Sequence, residues 1–150
     1  MEPSEAIELI KAAMKGRTSY EAAPEMAIAN SPRPLKRFIR LYELIEPLTT
    51  HLYTPDFRSQ LFIDRERIAR GVLQYMLVTP EVKQRNGKWE SESTSRHTGS
   101  RYHVIIDLTE WPYKIGCLSE DADYRYQFTA SKHVIAVLIK VLIDKGILEV

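Results

Sequence analysis

Arg33, Lys36, Arg37 and Arg40 recur at spacings of three and four residues, and no acid interrupts them between Asn30 and Tyr42. On a helix these four share one face. Leu35, Phe38, Leu41, Tyr42 and Ile45 take the other side, toward a core. A helical row of cations in an otherwise balanced chain is a candidate anion-binding surface. Three of the four are arginines, which suits bidentate contact with phosphate or carboxylate. Arg65, Arg67 and Arg70 on a following helix would extend the surface if the two helices packed side by side. The competing reading is a solvated amphipathic helix whose bases pair with Glu43, Glu46 or Glu66.

A second constellation would serve catalysis. His103 stands on an alternating segment with Asp107, and Glu110 follows. A histidine beside a carboxylate can act as acid or base. With Arg101 as an anion clamp, this would make a small hydrolase acting on a phosphate-containing substrate. The competing reading is a partly exposed strand histidine. His51 and His133 are isolated, and no two histidines have helical metal-ligand spacing. Glu120, Asp121 and Asp123 lack full calcium-loop spacing. Asp107, Glu110 and Lys114 do not follow a metal-nuclease order. No metal or cofactor is expected. The six glycines form neither a phosphate-binding loop nor a dinucleotide fingerprint. The serine-rich segment has no nucleophile-elbow glycines.

Tyr124, Tyr126 and Phe128 alternate with Arg125 and Gln127. Exposed on a sheet, such aromatics would stack on unpaired bases. Buried, they are core, and a final helix needs a sheet face to cover.

The elements that must position these groups follow from periodicity and punctuation. Ser4–Lys15 reads as a helix capped by Ser4 and stopped by Gly16. Glu25–Asn30 reads as a short helical turn. Ser31-Pro32-Arg33-Pro34 reads as an extended lead-in, because residues before proline avoid the helical region. Pro34 then opens a helix running to about Glu46, where Pro47 ends or kinks it. Gln60–Ile63 suits a short strand. Asp64 suits an N-cap for a helix to about Val78.

Residues 79–101 form the longest polar segment. It holds the turn dipeptide Asn86-Gly87 and reads as a loose hairpin, with Lys88–Glu92 an edge strand and Arg101–Leu108 returning. Tyr102, Val104, Ile106 and Leu108 alternate with His103, Ile105 and Asp107. Tyr113–Leu118 and Tyr124–Phe128 would add strands. Ser131 caps a last helix to about Lys145, stopped by Gly146, and Ile147–Val150 would add a terminal strand. The last helix is apolar on nearly all sides. Such a helix is buried centrally or shared with a partner chain, and the second case would be a homodimer through residues 131–145.

The expected fold is one α+β domain: helices mainly in the first half, an antiparallel sheet of three to five strands, and a C-terminal helix packed on it. A length of 150 residues suits one domain with its own core. The net charge of +1, even along both halves, excludes non-specific coating of nucleic acid by global charge. Electrostatic binding must come from a local patch. The single cysteine, Cys117, excludes an intrachain disulfide and a cysteine zinc site. Its apolar surroundings read as a packed strand thiol. The acidic N-terminus does not resemble a signal peptide, and no stretch approaches a membrane span, since Lys140 breaks the longest apolar run. The chain reads as cytoplasmic.

The function these observations favour is non-catalytic. A small binding or regulatory protein would engage nucleic acid or an acidic protein surface through Arg33, Lys36, Arg37 and Arg40, and Arg96 and Arg101 with the polar segment would order on contact. The alternatives are the hydrolase and an assembly subunit built on the last helix.

Overall fold

The computed structural model describes residues 1–49, 65–85, 87–94, 101–109, 114–119 and 132–149. Five helices and four strands run in the order α1 (Pro3–Ala13), α2 (Ala23–Ala29), α3 (Pro32–Thr49), α4 (Arg65–Leu77), β1 (Lys83–Arg85), β2 (Lys88–Thr94), β3 (Arg101–Asp107), β4 (Lys114–Ser119) and α5 (Lys132–Asp144). This is a small α+β domain with its helices mostly early and its C-terminal helix on the sheet.

The strands form an antiparallel meander in the order β1-β2-β3-β4. Gly87 lies in the turn of the first hairpin, where Arg85 stands opposite Lys88. Gly87 takes φ +76°, a conformation that favours glycine. The expected hairpin of Lys88–Glu92 with Arg101–Leu108 forms as β2 and β3, but β2 is an inner strand, because the short β1 pairs along its other side as the edge. Strand alternation puts Val104 and Ile106 on the buried face of β3, and His103, Ile105 and Asp107 on the other.

Helix α5 lies between α4 and the sheet. Val134, Ile135, Val137, Leu138, Ile139, Val141 and Leu142 are all buried within the chain. Central burial accounts for its all-round apolar composition, so it shows no bare apolar face for the expected homodimer contact or for an assembly subunit. Its close approach to α4 is made at Gly71. A Cβ on that residue would stand 2.3 Å from both Cβ and Cγ2 of Ile135.

Several expected boundaries move. Helix α1 starts at Pro3, with Glu2 rather than Ser4 at the cap position and no side-chain cap bond. Helix α3 starts at Pro32, so the expected extended lead-in is helical. The first amides of a helix have no intrahelical acceptor, and neither Pro32 nor Pro34 forfeits a bond there. The Leu35 amide donates to the Ser31 carbonyl at 2.9 Å and fixes this start. Helix α3 also continues through Pro47. An interior proline costs about 3 kcal/mol; on the flanking turn Ile45 is buried in the core and Leu44 and Leu48 pack partly against it.

The expected terminal strand is replaced by a turn through residue 149. Gly146 at φ +73° lets the chain double back, and the amides of Ile147 and Leu148 both donate to the Leu142 carbonyl. Leu148 is thereby buried against the core. The expected strands at Gln60–Ile63 and Tyr124–Phe128, and the caps Asp64 and Ser131, lie outside the described residues.

Candidate anion-binding site

Helix α3 divides sharply by face. Phe38, Leu41, Tyr42 and Ile45 are at most 1% exposed. Arg33, Lys36, Arg37 and Arg40 are all exposed on the other side. The Arg37 guanidinium lies 6.0 Å from the centre of the Tyr75 ring on α4, within cation–π range. Arg40 Nη2 donates to the backbone carbonyl of Glu149 at 3.2 Å. Among the described residues no carboxylate pairs with any of the four cations.

Two acids expected to compete for them are turned elsewhere. Glu43 accepts from the Met1 amine at 2.6 Å, and the Glu46 carboxylate approaches Arg65 at 4.0 Å. Glu66 is exposed on α4.

Arg65 belongs to a different arrangement. Its Nε donates to Tyr42 Oη at 3.1 Å and its Nη2 to Glu5 Oε1 at 2.9 Å. Its guanidinium also lies 5.8 Å from the centre of the Tyr42 ring. Hydrogen bonds to Tyr42 and Glu5 hold the guanidinium still more firmly protonated than usual. Burial pushes the Tyr42 phenol up to about 12, with Glu46 acting in the same direction and Arg65 against it. Arg65 thus joins α4 to α1 and α3 instead of enlarging the stripe.

Arg67 is half-buried and engaged. Arg70 turns toward Arg17, Glu25, Gln74 and Lys132, around a cavity of about 10 Å³. The side-by-side packing of α3 and α4 is real, but it does not deliver these arginines to the α3 stripe. Arg96 and the side chain of Arg101 lie outside the described residues.

The catalytic alternative gathers differently from its sequence pattern. His103 and Asp107 share a face of β3 but stand roughly 13 Å apart along the strand. Asp107 Oδ1 accepts from the Thr109 amide at 2.9 Å and from Thr109 Oγ1 at 2.6 Å. Directly across from His103 on β2 is Glu92. With Glu81, Lys83 and Glu90 they line a shallow cavity of about 340 Å³. Ser91, also at that cavity, donates its hydroxyl to the Glu81 carbonyl at 2.6 Å. Glu110 lies outside the described residues, as do Glu120, Asp121 and Asp123. Cys117 sits opposite Val104 in the sheet register. His133 is buried on α5, where burial and the neighbouring Lys132 charge push its pKa down to about 4.

Among the described residues, no cluster of three or more His, Cys, Asp or Glu side chains could hold a metal ion. Among the same residues, no helix is long and apolar enough to cross a membrane.

Next to the stripe is a feature that periodicity did not disclose. An open groove of about 690 Å³ runs between α1, the end of α2 and the flank of α3. It is lined mainly by apolar side chains, and Lys36 stands on its rim. A partly exposed Ile39 on a helix whose other face carries the core was the one local signal.

No protein-family model, curated protein sequence or solved structure matches this chain.

Proposed function

We propose that the protein is a small non-catalytic binding or regulatory protein that docks an anionic partner on the exposed face of α3. The observation that carries this reading is the contrast in pairing. Arg33, Lys36, Arg37 and Arg40 are exposed with no carboxylate partner among the described residues, while nearby Arg65 is tied to Tyr42 and Glu5. Cations placed this way neutralise phosphates or acidic side chains by electrostatic docking. Nucleic acid and an acidic protein surface both supply such charge. The reading places the chain in the cytoplasm, in keeping with its single cysteine.

The test is binding of the full chain to a fluorescent DNA duplex and to a poly-glutamate peptide, at low and moderate salt. Arg37→Glu combined with Arg40→Glu should weaken binding to at least one probe by about tenfold or more, equivalent to about 1.4 kcal/mol. The thermal midpoint should stay nearly unchanged, because both side chains are solvent-exposed. Binding of both probes that is indifferent to this double substitution would remove the basis for the proposal.

A further inference from the structure

The groove beside the stripe adds what cations alone do not: a shape and an apolar floor. Pro3 and Ile7 of α1 form one wall, Ala29 closes the α2 end, and Pro32, Leu35 and Ile39 of α3 form the other wall. Ile7 and Ile39 are half-buried, so apolar surface remains for a partner. Pro32, Leu35, Lys36 and Ile39 follow one another at the spacings of a single helix flank, over two turns or about 10 Å. A second helix laid in such a groove presents apolar residues at i, i+3, i+4 and i+7.

Beside that floor on α3 four cations stand against one exposed acid, Glu43. At about 100° per residue, Lys36 is turned about 60° from Ile39, Arg40 about 100°, Arg33 about 120° and Arg37 about 160°. Glu43 is turned only about 40° from Ile39, one turn further on, and its carboxylate accepts from the Met1 amine. On the α1 wall Lys11 stands one turn beyond Ile7, in contact with Glu8 at 3.5 Å.

We infer that the groove and the stripe form one composite site for an acidic amphipathic helical segment of a protein partner. Its apolar residues would sit between Ile7 and Ile39, and its carboxylates would meet Lys36, Arg40 and Arg33. This rests on the stripe reading above and sharpens it. Charge complementarity selects an acidic partner, and the apolar floor selects polypeptide. A nucleic-acid backbone would use the cations and leave the groove empty.

A random peptide library displayed on yeast, selected against the full chain, tests the inference, with the DNA duplex measured in parallel. Enriched peptides should carry Asp or Glu together with apolar residues at helical spacing. They should lose about tenfold or more in affinity with Ile39→Glu and with Lys36→Glu. Arg37→Glu, on the far side of the stripe, should cost less than Lys36→Glu. Ile7→Ser, on the opposite wall, should reproduce the Ile39 loss without altering α3, and melting curves establish that each variant is folded. No enrichment, or peptides whose affinity ignores Ile39 and Ile7, would overturn the inference. Duplex binding that depends on Arg37 and Arg40 in that case would leave the stripe reading standing. Loss of stripe dependence for both probes would end both.

Discussion

Helices α5 and α3 treat apolar surface in opposite ways. Helix α5 is enclosed between α4 and the sheet, with every residue from His133 to Ile139 buried. Its seam with α4 is so close that Gly71 has no space for a side chain. Helix α3 buries one face just as completely, yet leaves Ile39 half-covered beside a row of exposed cations. The buried side chains of α5 contribute to fold stability. The partly covered Ile39 and the exposed cations of α3 are the basis of the proposed docking site. Substitutions at the α4–α5 seam should therefore change stability, and those on the exposed face of α3 chiefly binding.

The closed seam should answer most strongly to added volume. Gly71→Ala raises intrinsic helix propensity by about 1 kcal/mol. The new methyl, however, would meet Ile135 Cβ and Cγ2 at 2.3 Å and Cδ1 at 3.2 Å. Relieving that overlap means moving α4 away from α5, a repacking at the upper end of the usual range of about 1–3 kcal/mol, so after the propensity gain a net destabilisation of about 2 kcal/mol is expected by urea denaturation. Ile135→Ala in the same chain removes two of the three contacts and leaves the one at Cβ. It should therefore recover only part of the close-packing loss, beyond its own cavity cost. A Gly71→Ala protein as stable as the parent would break the comparison at its closed end.

The same enclosure makes a proton expensive. His133 is buried on α5, and its folded pKa is lowered to about 4 against an ordinary 6.5. The unfolded chain therefore takes up this proton first as pH falls. The contribution to stability is intact above about pH 6.5, declines toward pH 4, and is fully lost below it. Between pH 7 and pH 5 the folded state should lose about 2 kcal/mol from this group alone. His133→Leu should flatten the stability–pH curve over that interval. An identical slope in the two proteins would show that the site does not exclude the charge.

Much of this contrast is visible in the chain itself, and part of it is not. The all-round apolar run of α5 reads as an enclosed helix, and a period of 3.6 residues separates the α3 cations from Phe38, Leu41 and Tyr42. Both are local patterns. The groove is not local: Ile7, Ala29 and Ile39 meet only when three helices pack. Glu5 meets Arg65 across 60 positions of sequence, so spacing nominated Arg65 as a stripe extension when it is a clamp. Gly71 looks like a helix weakness until Ile135 is set against it. Alternation sets His103 and Asp107 on one face of β3, but the strand register puts Glu92 across from the histidine. At the start of α3 the steric preference of residues before proline is outweighed, because first-turn amides need no partner; at its other end the chain stays helical past Pro47 to Thr49.

The finest test compares two arginines on the α3–α4 seam. Arg37 and Arg65 lie at similar distances from tyrosine rings, 6.0 and 5.8 Å. Only Arg65 adds a hydrogen bond to the phenol and an ion pair to Glu5. Its side chain is about half exposed, so solvent screening keeps the worth of these contacts small. Arg65→Met should lower stability by less than about 1 kcal/mol, in part because the Tyr42 hydroxyl loses its donor. Arg37→Met should change stability by no more than about 0.5 kcal/mol, as expected of an exposed side chain outside a network. Binding should show the reverse order. Arg37→Met removes a charge from the proposed docking face, whereas Arg65→Met removes one already matched by Glu5. If urea denaturation finds the two variants equally stable and the probes find them equally weakened, pairing does not separate structural from recognition arginines on this face, and the stripe would extend to Arg65 after all.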